Sequence, residues 1–203
     1  METKLLNGNN KEAIAEASKI LQDGGLVAFP TETVYGLGAD ALNADAAAKI
    51  YAAKGRPSDN PLIVHIADTD AVEKLADLET MNRTHPDMVK KAYMLMEAFW
   101  PGPLTMIFEK SEVVPYGTTG GLDTVAVRMP SDPVAAAVIR AAGGFVSAPS
   151  ANTSGRPSPT TAQHVSEDLD GKIDMILDSG SVDIGLESTI LDMTVAVSYT
   201  HLR

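Results

Sequence analysis

Lys54 and Arg56 stand two residues apart in the stretch KGRPSDNPLIVH. A compact ammonium beside a forked guanidinium suits a polyphosphate and the carboxylates around it. The same two charges also answer the C-terminal dipole of a helix, where solvated cations are common. Asn60 and His65 bracket the apolar run that follows. His65 comes after three aliphatics and reads as a histidine satisfied in the core or at a strand end rather than as a catalyst. Arg128 closes the apolar run TVAVR. A strand of that kind ending in arginine delivers its charge to an anion, either a structural carboxylate or a bound ligand.

Short polar side chains gather in two further places. Ser150 and Asn152 in PSAN, followed by Ser154 and Ser158, form the stretch SAPSANTSGRPSPTT. Its composition can line a phosphate or ribose site, or simply cap a turn before the helix after Thr160. FPTETVYGLG, residues 29–38, offers Thr31, Thr33 and Tyr35 where a core strand would continue with aliphatics. These three are expected to face a pocket while Gly36 and Gly38 let the chain turn away. Glu187 and Ser188 open the last apolar run in a GxES pattern of little weight. GxxxxGKS, GxGxxG, HExxH, a nucleophile elbow and a tight acid pair are all absent from the sequence. Hydroxyls and a few cations at strand ends suit electrostatic positioning of anionic substrates rather than covalent catalysis.

The elements that must hold these residues follow from periodicity and punctuation. KEAIAEASKILQ puts Ile14, Ala17 and Leu21 on one helical face, after the capping candidates Asn9 and Asn10 and before Gly24-Gly25. LVAF is a buried strand stopped by Pro30. ADAAAKIYAAKG is a helix ending at Gly55, which places Lys54 in its last turn. PLIVHIA is the next strand. HPDMVKKAYMLMEAFW carries Met88, Ala92, Leu95, Met96 and Phe99 at helical spacing as a core stripe. LTMIFEK, DTVAVRM, GFVSA, DMILD and STILDM are strands, and PVAAAVIRAAGG is a helix capped by Asp132. No helix separates TMIFEK from DTVAVRM, so at least one antiparallel pairing is expected in an open, mixed α/β sheet flanked by helices.

Composition sets the bounds. The chain has 203 residues, 44% hydrophobic and 21% charged, which suits one domain with a full core. A formal charge of −11 argues against a broad basic face for nucleic acid and leaves only a local basic pocket for phosphates. There is no cysteine, so disulfides and thiolate chemistry are excluded, and no apolar run long enough to span a bilayer. A cytoplasmic address is the expectation. Residues 1–196 read as one domain. The segment VSYTHLR, from about Val197 onward, breaks the strand register and is expected to be a non-native tail replacing the natural continuation.

Taken together, FPTETVYGLG, KGRPSDNPLIVH, WPGPLT, LDTVAVRMP, SAPSANTSGRPSPT and ESTI occur in the order and spacing of the YrdC-like family, the threonylcarbamoyl-AMP synthases, which the chain resembles from about residue 10 to about residue 194. The resemblance implies a twisted, mostly parallel α/β sheet with a concave electropositive pocket. It also implies synthesis of threonylcarbamoyl-AMP from L-threonine, bicarbonate and ATP with release of pyrophosphate, for threonylcarbamoyladenosine modification of tRNA. Position by position, L-threonine would meet Thr33, His65, Arg128, the backbone near Ala148, and Ser188. The nucleotide would meet Lys54, Arg56, Asn60, Thr124, Ser150, Asn152 and Ser158, with Lys54 and Arg56 screening charge during the reaction. Mg²⁺ would accompany ATP without dedicated protein ligands, and tRNA or tRNA-modification proteins would be transient partners. Family members continue into an ILRPG-type segment whose arginine also reaches the nucleotide; Arg203 falls near that position without matching it. A non-catalytic RNA-binding or ribosome-associated module on the same fold is the alternative.

Overall fold

The computed structural model describes residues 2–195 and 200–201. The strands are β1 (Lys4–Asn7), β2 (Val27–Phe29), β3 (Gly36–Asp40), β4 (Ile63–His65), β5 (Leu104–Glu109), β6 (Thr124–Arg128), β7 (Val146–Ser147), β8 (Met175–Asp178), β9 (Thr189–Asp192) and β10 (Thr200–His201). They form one sheet in the order β1-β8-β2-β3-β7-β4-β6-β5-β9-β10. The helices are α1 (Lys11–Gln22), α2 (Ala44–Lys54), α3 (Val72–Leu75), α4 (Leu78–Thr84), α5 (Pro86–Phe99), α6 (Tyr116–Thr119), α7 (Pro133–Ala141) and α8 (Ala162–Leu169).

The mixed α/β sheet matches expectation, but it is not mostly parallel. β1–β8, β2–β8, β4–β6 and β5–β9 are parallel, while β2–β3, β3–β7, β4–β7, β5–β6 and β9–β10 are antiparallel. The difference arises largely at β3, a strand that the glycine-rich stretch GLGAD conceals in the sequence. It folds back on β2 and carries β7 beside it, so β2 and β4 run in opposite directions. Of the expected tail, Thr200–His201 pairs with β9; residues 197–199 and 202–203, Arg203 among them, lie outside the described residues.

The helices start where capping chemistry dictates. Asn10 accepts from the Glu12 and Ala13 amides, Asn43 from Asp45 and Ala46, and Asp132 from Val134 and Ala135 ahead of the α7 proline. Gly55 ends α2 at φ 60°, a left-handed turn that sends Arg56 off the helix axis.

Core packing divides the sheet in two. Around β2 and β8, Val27, Phe29, Met175 and Leu177 pack with α1 and α7, while Ala28 and Ile176 on the other face pack with α2 and α8. On β4, β6 and β5, Val64, Val127, Met106 and Phe108 pack on Leu75, Met81, Met88 and Met96 of α3–α5. The opposite face of those three strands, with Ile63, Ala126 and Ile107 half-buried, is more open. The expected α5 stripe holds only in part: Met88, Ala92 and Met96 are buried, but Leu95 is half-buried and Phe99 is 56% exposed. Leu95 and Phe99 instead line a groove with Leu104 and Leu191.

Gly38 shows how tightly β3 is laid on its neighbours. A Cβ there would come within 2.6 Å of the Phe29 ring and 3.0 Å of Val146 Cγ1. Both side chains are fully buried, so neither yields cheaply. Gly38→Ala is expected to lower stability by about 1–3 kcal/mol in urea unfolding, and an unchanged midpoint would contradict this packing.

Candidate active site

The β-register assembles a polar row on the more open face. His65 pairs with Arg128 across β4–β6, and Arg128 with Thr105 across β6–β5, so the three side chains project to the same side. All three are buried, with exposures of 2%, 3% and 0%. Ser188, one residue before β9, joins the row through a 2.7 Å hydroxyl contact with Thr105. The residues therefore meet over a sheet face rather than at a crevice outside parallel strand ends.

A loop from the other half of the sheet closes over this row. Thr31 Oγ1 accepts from the Thr33 and Val34 amides and lies 3.0 Å from Thr33 Oγ1, which winds residues 31–34 into a compact turn. Arg128 Nη1 donates to Thr33 Oγ1 at 2.9 Å, and Nη2 donates to Glu32 Oε1 at 2.6 Å. Glu32 Oε2 in turn accepts from the Ser131 amide at 3.2 Å. The Ile184 and Gly185 amides donate to the Glu32 and Thr33 carbonyls, tying in the segment that leads to Ser188. Thr33 thus sits against the Arg128 guanidinium. Tyr35 does not: it is fully buried on the other side, donating to the Gly180 carbonyl and accepting from the Ser179 amide. Glu32 and Thr105 are participants that motif reading passed over.

The second group forms beside the first. Lys54 is 1% exposed, and its ammonium donates to the Ser150 carbonyl, to the Asn152 carbonyl at 2.6 Å and to Asn152 Oδ1 at 3.3 Å. Those three acceptors match the three donors of an ammonium, so Lys54 acts here as a clasp on the PSAN loop. Arg56 donates to the Asn60 and Pro61 carbonyls, which folds residues 56–61 into a compact bend. Thr124 opens β6, where it pairs with Glu109 of β5. Ser158 donates to Glu187 at 2.6 Å, and Glu187 is the neighbour of Ser188. Tyr35 exchanges backbone bonds with Pro159 and Ala151, and the Ala148 amide donates to Ile63. The twelve residues singled out from the sequence thus lie on a few interlinked segments. A concavity of about 720 Å³ lined by Glu73, Asp77, Glu79, Tyr93, Lys110 and Glu112 shares none of them.

Two protonation states follow from burial. Desolvation first, then the Arg128 charge, push the His65 imidazole down to about 3. Its Nδ1 lies 3.2 Å from the Ile63 carbonyl, which can only accept, so Nδ1 carries the proton and Nε2 is an acceptor. Burial, then Arg56, lower the Lys54 ammonium to about 8, with Glu187 and Asp168 opposing. As pH falls from the ordinary histidine value through the folded one, the unfolded chain takes up a proton that folded His65 refuses, so stability declines over that window. The His65 Cε1 proton resonance is expected to stay flat from about pH 8 to about pH 5, and a midpoint near the ordinary value of about 6.5 would contradict the buried neutral ring.

Residues 19–203 match the Sua5/YciO/YrdC family, described as telomere recombination. The threonylcarbamoyl-AMP synthase of Pyrococcus abyssi (strain GE5 / Orsay) is 52% identical over 191 residues, covering 92% of this chain and 54% of its own length. That of Bacillus subtilis (strain 168) is 54% identical over 183 residues, covering 90% and 50%. The crystal structure of P. abyssi Sua5 complexed with L-threonine superposes with a TM-score of 0.89 at 48% identity, covering 98% of this chain and 56% of that one. The chain spans about half the length of these curated relatives. With one family matched across most of its residues and relatives about half identical to it, the chain belongs to the Sua5/YciO/YrdC family.

Proposed function

We propose that this chain carries the site that makes L-threonylcarbamoyl-AMP from L-threonine, bicarbonate and ATP, releasing pyrophosphate, in the service of tRNA threonylcarbamoyladenosine modification in the cytoplasm. The observation that carries this is the gathering of Thr33, His65, Arg128 and Ser188 over one sheet face, next to the Lys54-clasped PSAN loop. The names of the synthase relatives and the L-threonine complex of the P. abyssi protein support the same direction.

On this reading the substrate carboxylate lies against Arg128, and the remaining polar groups of the row orient the hydroxyl and amine. His65 Nε2, held as an acceptor, takes a hydrogen bond from the substrate without adding charge. The neutral amine nitrogen bonds to the carbon of bicarbonate with loss of water, or to that of carbon dioxide with loss of the amine's proton to solvent, giving a carbamate. A carbamate oxygen then bonds to the α-phosphorus as the bond to pyrophosphate breaks. Both reactants are anions, so the work of the site is positioning and screening, supplied by Arg56 and the amide and hydroxyl groups of residues 150–158. Among the described residues no group of three or more His, Cys, Asp or Glu side chains is placed to hold a metal ion. On this reading Mg²⁺ accompanies ATP on the nucleotide's own phosphates, where it would neutralise charge. No described helix is long and apolar enough to cross a membrane.

Pyrophosphate release from ATP and bicarbonate is expected to depend on L-threonine and to fall about tenfold to a hundredfold in Arg56→Ala, as loss of a charge-assisted contact to phosphate implies. Release that is indifferent to threonine would overturn the proposal. Thr33→Val removes the acceptor of Arg128 Nη1 and is expected to weaken threonine saturation while leaving ATP binding intact. Equal loss for both substrates would instead mark Thr33 as merely structural.

A further inference from the structure

Glu32 is a buried carboxylate that no step above uses, and its surroundings are unusual. It sits not in the apolar core but at the margin of the polar row, 7% exposed, with both oxygens engaged. We propose that Glu32 is the positioning residue of the amino-acid carboxylate clamp, fixing the plane and reach of the Arg128 guanidinium while itself held by the Ser131 amide. This inference rests on the threonine-binding reading given above.

The donor inventory makes the case. A guanidinium has five N–H groups. Among the described residues, Nε donates to the Gly102 carbonyl at 3.4 Å, Nη1 to Thr33 Oγ1 at 2.9 Å and Nη2 to Glu32 Oε1 at 2.6 Å. One N–H on each terminal nitrogen is left for an incoming carboxylate, which suits the paired contact that arginine offers planar anions. Of the three holding contacts, the Glu32 bond is the shortest and carries opposite charge. It is itself anchored three residues past the end of β6, at the Ser131–Asp132–Pro133 turn that starts α7. Glu32 therefore couples the orientation of Arg128 to a helix start rather than to a mobile side chain. A pair kept only for stability could be replaced by packed apolar groups at little cost. The place of Arg128 in register with His65 and Thr105 gives the pair a different use, since an arginine left to swing would meet its anion in many poses and lose affinity.

The test is calorimetric titration of L-threonine into wild type, Glu32→Gln and Glu32→Asp, with steady-state kinetics on the same proteins. Gln keeps an oxygen for Arg128 but sets an NH₂ against the Ser131 amide and removes the charge. Asp keeps the charge and draws it back by one methylene. Expected is a weakening of threonine binding and a rise in its KM of about tenfold or more in Glu32→Gln. A smaller rise is expected in Glu32→Asp, with kcat and the KM for ATP little changed in both, the pattern of lost uniform binding. Wild-type affinity for threonine in a folded Glu32→Gln overturns the proposal, and so does tighter binding there, which would mean that Glu32 only competes with the substrate for Arg128. If Glu32→Gln fails to fold, Glu32→Asp decides on the same readout. Absence of threonine binding by wild type would instead sink the functional reading beneath it.

Discussion

The Glu32–Arg128 ion pair is the contact on which the site depends. It joins a loop that leaves β2 to the end of β6, strands separated by β3, β7 and β4 in the sheet. Two charges withdrawn from water interact strongly only when their remaining hydrogen-bonding capacity is also met. Here Thr33, Gly102 and the Ser131 amide meet much of it. Removing either partner would leave an uncompensated buried charge, a loss of about 3–5 kcal/mol in comparable cases. The turn over residues 31–34, the end of β6 and the start of α7 therefore hold their positions together.

The sheet makes room for this arrangement by being covered unequally. Its β2–β8 half is packed on both faces, whereas β4, β6 and β5 commit Val64, Val127, Met106 and Phe108 to α3–α5 and carry His65, Arg128 and Thr105 among half-buried apolar residues on the other face. Alternation along a strand thus does two jobs at once: Val64 and Val127 build the core while their neighbours His65 and Arg128 build the row. A register slip of one residue would exchange the two sets, so the core fixes the site's geometry.

Much of the fold is visible in the sequence, for reasons that can be named. Asn10, Asp132 and Gly55 mark helix ends because the first-turn amides need a side-chain acceptor and a left-handed turn favours a residue without Cβ. Polar residues that interrupt apolar strands, His65 and Arg128 above all, mark the polar row. What stays hidden depends on distant partners. β3 looks like a loop because Gly38 answers the Phe29 ring, a constraint set across the sheet. Tyr35 was expected to face the pocket, but it serves the 178–180 turn, 145 residues away from Gly180 in the chain. Glu32 and Thr105 gain their places only once the register brings Arg128 between them. Phe99 keeps helical spacing with the core stripe yet is exposed, because it turns to the groove beside Leu104 and Leu191, and periodicity does not tell a closed core from an open groove.

The most direct measurement is a crystal structure of this chain with L-threonine and a non-hydrolysable ATP analogue. The account predicts the threonine carboxylate within hydrogen-bond distance of both Arg128 terminal nitrogens, over the face formed by β4, β6 and β5. It also predicts the nucleotide phosphates against Arg56 and residues 150–158. Threonine bound elsewhere, as in the concavity lined by Glu73, Asp77 and Glu112, or bound over that face with Arg128 turned away from it, would contradict the account.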